Sequence, residues 1–295
     1  MSNHNVFAGA FVDRSGHRRK DPKWLRAAID SPESRFVPVW GDKCLTGGDP
    51  LRTVLLNRSE VSEFLKPQET VFLGIYQGQP AFAVGIDGAR DTPFPEAGEF
   101  HDLRYLGGVL PVDEANLTAH ARALVLWHRL QKHCGVCGSL SRVESGGNTR
   151  ICENKKCGVR SFPRVDPAII VLALQGEQCL LGRQPSWPES RYSTIAGFVE
   201  PGESLEDAVR REVAEETNIE VGSVNYNSSQ PWPFPSALML GFTAEARSSE
   251  ILLNDGELED AQWFTRNELL SGVPKLPYRL SIARRLIDEW LQRSD

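Results

Sequence analysis

The sequence lacks the long apolar run that a membrane-spanning helix needs, which is about eighteen residues or more. Its start, "MSNHNVFAGAFVDRSGHRRK", also lacks the apolar core and small-residue cleavage site of a secretory signal. Basic residues do not dominate, because 33 Lys and Arg stand against 39 Asp and Glu, a net charge of -6. We therefore expect a cytoplasmic protein with no membrane segment and no DNA-coating surface.

Cysteine is scarce, with six residues in 295, and four of the six are clustered. Two residues lie between Cys134 and Cys137, four lie between Cys152 and Cys157, and fourteen lie between the two pairs. Four thiolates are typical of a closed, tetrahedral zinc site with a structural role. A reduced buried cluster or a redox pair is the alternative, but without an export signal the pattern favours a metal over disulfides.

The organisation along the chain predicts an α+β protein with three parts. Residues 1–130 contain short apolar runs between turn residues, followed by a helix over 113–131, and form a small β-rich domain. Residues 131–163 form the zinc ribbon. Residues 164–295 alternate strands and helices: a hairpin within 167–184, a strand over 237–246, a strand entering a helix over 261–269, and a helix over 278–292. No internal repeat is evident.

One stretch, "GFVEPGESLEDAVRREVAEETNI" (197–219), combines turn, cap and helix signals. Pro201-Gly202 predicts a turn. Ser204 followed by Asp207 fits a capping box with Asp in the place of Glu or Gln. The sequence therefore predicts a helix that begins near Leu205.

Acidic residues concentrate on one side of that helix. Glu212 and Glu216 stand four apart and share a face, and Glu215 lies beside them. Like charges at this spacing destabilise a bare helix, whereas a divalent cation such as Mg²⁺ or Mn²⁺ would convert the repulsion into binding. The charge pattern alone is equally consistent with a solvated acidic face compensated by Arg210 and Arg211.

The full spacing of this stretch resembles the Nudix box. Gly197, five residues, Glu203, seven residues and then "REVAEETNI" match eight of the nine fixed positions of that pattern. The departure is Asn218, where the family has glycine. This position should be the helix C-cap, and asparagine is the next best residue in a left-handed conformation.

Two further features resemble the NADH pyrophosphatase subfamily of the Nudix hydrolases. The run "SQPWPFP" (229–235) is similar to the signature of that subfamily, and the four-cysteine ribbon lies just before the Nudix region, as in those proteins. The resemblance implies a Nudix fold, with a mixed sheet between helices, over the C-terminal part. Ala237, where bacterial relatives tend to have serine, is a departure that would remove one substrate hydrogen bond.

The resemblance also implies roles for individual residues. Glu212, Glu215 and Glu216 would be catalytic, and the Mg²⁺ or Mn²⁺ ligands would be Glu212, Glu216, Glu257 and the backbone carbonyls of Ala196 and Ala283. The aromatic rings of Phe198 and of Phe162, the latter supplied by a partner subunit, would stack on substrate. The other substrate contacts would be Gln230, Pro231, Trp232, Pro233, Phe234, Pro235, Ser236 and Ala237.

The activity that the resemblance implies is metal-dependent hydrolysis of the pyrophosphate of NAD(H) to AMP and NMN(H). Removal of the NAD cap from the 5′ end of RNA is implied as well, and so is a homodimer. Two alternatives stay open: a broader nucleoside-diphosphate hydrolase that acts on ADP-ribose or dinucleoside polyphosphates, and a zinc-ribbon RNA-binding protein with an inactive Nudix domain.

Overall fold

The computed structural model describes residues 4–66, 69–88, 91–253 and 256–293. The chain divides into two compact units. The N-terminal unit comprises Phe7–Arg164 together with Pro233–Ser236. The C-terminal unit comprises Val165–Trp232, the segment from Ala237 onward, and a short N-terminal segment that ends at Val6. The cysteine-rich segment thus groups with the N-terminal sheet, and the division into three domains stays a prediction.

The helices and strands are numbered in chain order. The helices are α1 (Pro22–Asp30), α2 (Leu103–Val109), α3 (Val112–Leu130), α4 (Leu205–Thr217), α5 (Arg266–Leu270) and α6 (Ile282–Gln292), with short 3₁₀ turns at Arg18–Lys20 and Ser145–Gly147. The strands are β1 (Val12–Asp13), β2 (Arg35–Trp40), β3 (Lys43–Gly47), β4 (Arg52–Thr53), β5 (Val71–Tyr76), β6 (Gln79–Ile86), β7 (Glu99–Asp102), β8 (Ser141–Glu144), β9 (Thr149–Cys152), β10 (Arg160–Ser161), β11 (Asp166–Gln175), β12 (Gln178–Arg183), β13 (Ile195–Phe198), β14 (Val221–Trp232), β15 (Ala237–Ala246) and β16 (Asp260–Thr265). In the part of the chain that the structure describes, none of these helices could cross a membrane.

The C-terminal unit is a mixed sheet with a helix on each face. Its strand order is β14-β15-β11-β12-β16, with β13 paired to β11 and with β11 parallel to β15. Side chains alternate along the central strand β11, so Ile169 and Val171 pack with α4 on one face, whereas Ile170 and Leu172 pack with α6 on the other. The predicted α+β class, with a mixed sheet between helices, is confirmed.

The N-terminal unit contains a second sheet with a related order, β1-β5-β6-β2-β3-β4, in which β7 pairs with β3. Strand β2 runs parallel to β6, as β11 runs parallel to β15. The path β5-β6-β2-β3-β7 therefore matches β14-β15-β11-β12-β16 strand for strand. Between β4 and β5 the described residues form turns, whereas the other sheet has the acidic helix α4 after β13. This repeat of topology leaves no visible repeat in the sequence.

The ends of α4 are set by the two residues that the sequence singles out. The Ser204 hydroxyl accepts a hydrogen bond from the Asp207 backbone N–H at 3.2 Å, which confirms the N-cap. At the other end Asn218 is left-handed, with φ of 63°. Asparagine tolerates this conformation better than most residues, so it replaces the family glycine at this cap.

The last helix begins later than predicted. The helical spacing over 278–292 is wrong for residues 278–281, because α6 starts at Ile282. Ser281 is the N-cap and accepts from the Arg284 N–H at 3.3 Å, while the Gln230 side-chain oxygen accepts from the Ile282 N–H at 2.8 Å. Two side chains thus satisfy donors that the first helical turn leaves free, and one of them comes from a distant strand.

Candidate active site and metal centre

Arg211 is the centre of the charged cluster on α4. Its guanidinium donates to both carboxylate oxygens of Glu203, at 2.6 and 2.9 Å. The same group reaches Glu212 at 2.9 Å and Glu215 at 3.0 Å, and also donates to the Phe198 carbonyl at 2.9 Å. One arginine therefore ties the helix to the turn before it and to β13.

Gly197 is required where it is, because the Glu212 carboxylate fills the place of its missing side chain. A Cβ atom added at Gly197 would lie far inside the van der Waals radius of the Glu212 carboxylate carbon and both of its oxygens. The first glycine of the box thus lets a carboxylate from α4 rest directly against the backbone of β13. Gly197 and Glu212 define the floor of the candidate site.

Replacing Gly197 by alanine should displace Glu212 while leaving the strand intact. We expect kcat to fall by about a hundredfold, since a displacement of about 1 Å at a catalytic group has that effect. Gly108→Ala is the matched control, because a Cβ there meets no atom within 4 Å. Steady-state kinetics of both variants check this, and equal kcat values for the two would contradict it.

The pKa values of two carboxylates in the cluster are shifted in opposite directions. Hydrogen bonds from Arg211, and then one from the Glu200 N–H, hold the pKa of Glu203 at about 2. Burial raises the pKa of Glu212, and the negative charges of Glu215 and Glu257 add to this rise, although Arg211 opposes it. Glu212 is therefore a carboxylate for which a further cation nearby would be favourable.

The low pKa of Glu203 predicts a pH dependence of stability. Its ordinary pKa is 4.5, so the pairing with Arg211 contributes fully above that pH and is lost as the pH falls towards 2. Glu203→Gln should therefore lower the urea midpoint at pH 7, and the difference from the parent should shrink below about pH 4.5. A difference that stays constant between pH 7 and pH 3 would be the opposite result.

The predicted metal ligands differ in burial and in the elements that carry them. Glu216 is buried on α4, with 5% of its surface exposed, whereas Glu215 is largely exposed. Ala196 lies exposed on β13 and Ala283 is buried on α6. Arg211 Nη1 draws Glu212 and Glu215 to itself, and in the ranges described these glutamates do not form a ready metal group as the cysteines do. Their role as ligands stays a prediction.

The two aromatic rings that are predicted to stack on substrate lie outside the hydrophobic core. Phe198, at the end of β13, is 61% exposed, and Phe162, in the ribbon's last segment, is 66% exposed. These exposures are not those of rings that pack in the core, which would be the alternative role for each residue. The two residues belong to different units, and their role in stacking stays a prediction.

The run "SQPWPFP" is the end of a β-hairpin. Residues up to Trp232 belong to β14, and Trp232 pairs with Ala237 of β15 across the turn Pro233–Ser236. In that turn the Phe234 ring lies under the guanidinium of Arg104, at 4.1 Å, and near that of Arg122, at 5.2 Å. Cation–π contacts of this kind fix the ring within the N-terminal unit.

Gln230 is fully buried and its amide is engaged within the protein. Its nitrogen donates to the carbonyls of Val6 and Leu280, at 3.1 and 2.7 Å, and its oxygen accepts from Ile282. The side chain therefore positions the start of α6. Its predicted substrate contact, like those of Pro231, Trp232, Pro233, Phe234, Pro235, Ser236 and Ala237, stays a prediction.

The four ribbon cysteines converge, as their spacing predicts. Their sulfur atoms all lie within 4.8 Å of one another, with Cys134 to Cys157 at 3.8 Å and Cys137 to Cys152 at 3.4 Å. A Zn–S bond of about 2.3 Å in a tetrahedron requires sulfur atoms about 3.8 Å apart. The Val136 N–H donates to the Cys134 sulfur at 3.4 Å, which favours its thiolate form. The donor set fits a structural metal ion.

Sequence reasoning missed two parts of the cluster. It treated Arg211 only as a compensating charge, and it gave no role to Glu203. The available signal was the box itself, because Arg211 stands eight residues after Glu203 and directly before Glu212. The bidentate contact depends on the turn that folds Glu203 back onto α4, which no local periodicity predicts.

Comparison with known proteins matches two family models: a NUDIX domain over residues 163–290, and an "NADH pyrophosphatase-like rudimentary NUDIX domain" over residues 33–127. The chain is 35% identical to the NAD-capped RNA hydrolase NUDT12 of Macaca fascicularis, over 98% of this chain and 73% of that protein. It is 42% identical to the NAD-capped RNA hydrolase NudC of Deinococcus radiodurans, over 77% of this chain and 79% of that protein. A crystal structure of a NUDIX hydrolase from Nitrosomonas europaea aligns with 55% of this chain and 92% of that chain, at 21% identity and a TM-score of 0.47.

Proposed function

The chain belongs to the Nudix hydrolase family, in its NADH pyrophosphatase subfamily, and from this membership we propose that it hydrolyses the pyrophosphate of NAD(H). The same site would remove NAD from the 5′ end of capped RNA, the substrate for which the two relatives are named. One observation carries the proposal. The carboxylate of Glu212 lies against Gly197, and Arg211, which contacts it, also binds Glu203 and Glu215.

The acidic cluster fits a divalent cation. Glu212 has a raised pKa because it is buried, and Glu216 is buried on the same helix face. Such carboxylates bind hard cations such as Mg²⁺ or Mn²⁺, and we assign Glu212, Glu216, Glu257 and the carbonyl of Ala196 to them. We leave out Ala283, because α6 packs on the face of the sheet opposite to α4. When bound, the cations would supply charge neutralisation at the phosphate oxygens and a more acidic water.

The reaction joins one water to one pyrophosphate. The water oxygen forms a bond to one phosphorus, the bridging P–O bond breaks, and the bridging oxygen leaves on the other phosphate. One glutamate among Glu212, Glu215 and Glu216 accepts the proton of the water. The products are AMP and NMN(H) from the free dinucleotide, and NMN with a 5′-monophosphate RNA from the capped substrate.

Binding of the dinucleotide would use exposed rings beside the cluster. Phe198 is adjacent to Gly197 and its exposed face can stack on a base. We assign Phe162 the same task in the site of a partner subunit, which makes a homodimer the functional form. The Pro-rich hairpin end would hold the rest of the substrate. The four-cysteine ribbon would hold Zn²⁺ in a structural role.

A competition experiment tests the function. NADH, ADP-ribose and NAD-capped RNA are offered at equal concentration with Mn²⁺, and the product specific to each one (NMNH, ribose 5-phosphate and 5′-monophosphate RNA) is quantified separately. We expect NADH or capped RNA to be cleaved well ahead of ADP-ribose. Preference for ADP-ribose would favour the broader nucleoside-diphosphate hydrolase. RNA binding without cleavage of any substrate would favour an inactive Nudix domain with a nucleic-acid-binding ribbon.

A further inference from the structure

A groove of about 930 Å³ in the N-terminal unit collects positive charge. It runs between α1 with the 3₁₀ turn before it and the glycine-containing turn Ser145–Gly147 of the ribbon. Its basic lining residues are Arg19, Lys20, Arg26, Arg58 and Arg160, against two acidic ones, Asp30 and Glu144. A local positive excess in a chain of net charge -6 marks this groove as distinct from the average surface.

The two carboxylates leave much of this charge uncompensated. Asp30 lies 3.5 Å from Arg58, and Glu144 lies 3.7 Å from Arg160 but only 2.8 Å from Arg142, which is outside the groove lining. Among the residues that the structure describes, the salt bridges of the groove involve Arg58 and Arg160, and none involves Arg19, Lys20 or Arg26. An anion in the groove would therefore meet free cationic groups.

One guanidinium donor in the groove is also unsatisfied. The Nε atom of Arg19 is buried and has no hydrogen-bond partner among the described residues, whereas the Nε atom of Arg58 faces the Asp30 carboxylate at 3.5 Å. Burial of a donor without an acceptor is unfavourable, so an oxygen-rich ligand would be favoured at Arg19. Phosphate oxygens are the acceptors that guanidinium groups match best.

Part of the opposite wall is the turn Ser145–Gly147. Ser145, Gly146 and Gly147 all have positive φ, and a Cβ at Gly147 would lie 2.9 Å from Val71. This turn therefore adds no large side chain to the groove. The aromatic residue that lines the groove, Phe82, is fully buried, so it offers no face for stacking a base. The groove suits a sugar–phosphate backbone better than exposed bases.

We propose that this groove binds the sugar–phosphate backbone of single-stranded RNA, the body of the capped substrate. The inference rests on the proposed function for the identity of the RNA, while the binding itself depends only on the groove. Because the contacts are with phosphates, recognition is independent of base sequence and decreases steeply with salt. Free NAD(H) carries no RNA body, and its hydrolysis does not involve these residues.

The test compares Lys20→Gln/Arg26→Gln with the control Lys23→Gln/Arg247→Gln, which removes the same two charge types from exposed positions outside the groove. Fluorescence anisotropy measures binding of a 5′-monophosphate RNA of about twenty nucleotides at several salt concentrations. We expect the groove variant to bind about tenfold more weakly at 0.1 M salt, with the slope of log K against log salt smaller by about 1.4. The control should match the parent.

Kinetics with the full chain give the second readout. The groove variant should raise KM for NAD-capped RNA about tenfold at unchanged kcat, and leave both constants for NADH unchanged. Unaltered RNA affinity, or an equal loss in the control, overturns the groove proposal. A parallel loss with NADH also overturns it. If the parent cleaves neither substrate, the proposed function fails, and the anisotropy measurement still decides whether the groove binds RNA.

Discussion

Glu216→Gln should lower kcat for NADH by about a thousandfold while the protein stays folded. The substitution keeps the size of the side chain and removes the negative charge from a buried position on α4. In the proposed mechanism the carboxylates bind cations and accept a proton, and a neutral amide does neither well. Release of AMP under saturating Mn²⁺, followed by chromatography, measures the effect.

Glu206→Gln is the matched control for this substitution. Glu206 lies in the first turn of the same helix and is exposed, so its loss removes one charge from α4 without touching the cluster. The control should keep its kcat within about twofold, as is usual for surface changes. Equal loss in both variants would indicate a general effect of helix charge, and full activity of Glu216→Gln would remove it from the catalytic set.

Cys152→Ser should release the zinc that we propose for the ribbon, and it should unfold the ribbon. The serine oxygen is a poor replacement for a thiolate in a closed tetrahedral site, and structural zinc contributes on the order of 10 kcal/mol in small zinc modules. We expect the zinc content to fall from about one ion per chain to nearly none, as measured by atomic emission. The melting temperature should fall at the same time.

The loss should spread beyond the ribbon, because Cys152 ends β9, which also contains Arg150. The buried Arg150 guanidinium donates to the Ser141 hydroxyl at 2.9 Å and contacts His128 of α3, also at 2.9 Å. Cys179→Ala, buried in the other unit, is the control: it should lower stability but keep the zinc. Zinc retained by Cys152→Ser would contradict a four-sulfur site.

The parts of the fold that the sequence predicts are those with local signals. Ser204 and Asn218 set both ends of α4, because a cap depends on residues within one helical turn. The spacing of the cysteines predicts that the four sulfur atoms come together, since each pair occupies one short turn. The spacing of Glu212 and Glu216 predicts that they share a face of one helix, while their roles are implied only by the resemblance to the Nudix box.

The parts that it does not predict depend on contacts between distant residues. The sequence predicts Gln230 only as a substrate contact. In the structure Gln230 is buried and accepts a hydrogen bond from the N–H of Ile282, fifty-two residues away in sequence, at the start of α6. The ring of Phe234 is held by Arg104 and Arg122, which no local pattern connects with it. Arg211 likewise gains its bidentate partner only when the turn before α4 closes.

The shared strand order of the two sheets implies that one chain holds two descendants of a single ancestral unit. The unit with α4 carries the acidic cluster, whereas in the other unit the described residues between β4 and β5 form turns. We therefore expect purifying selection to preserve mainly the buried strands in the first unit, and in the second unit the single side chains of the cluster as well. Substitution rates across relatives should then be lower in α4 than between β4 and β5.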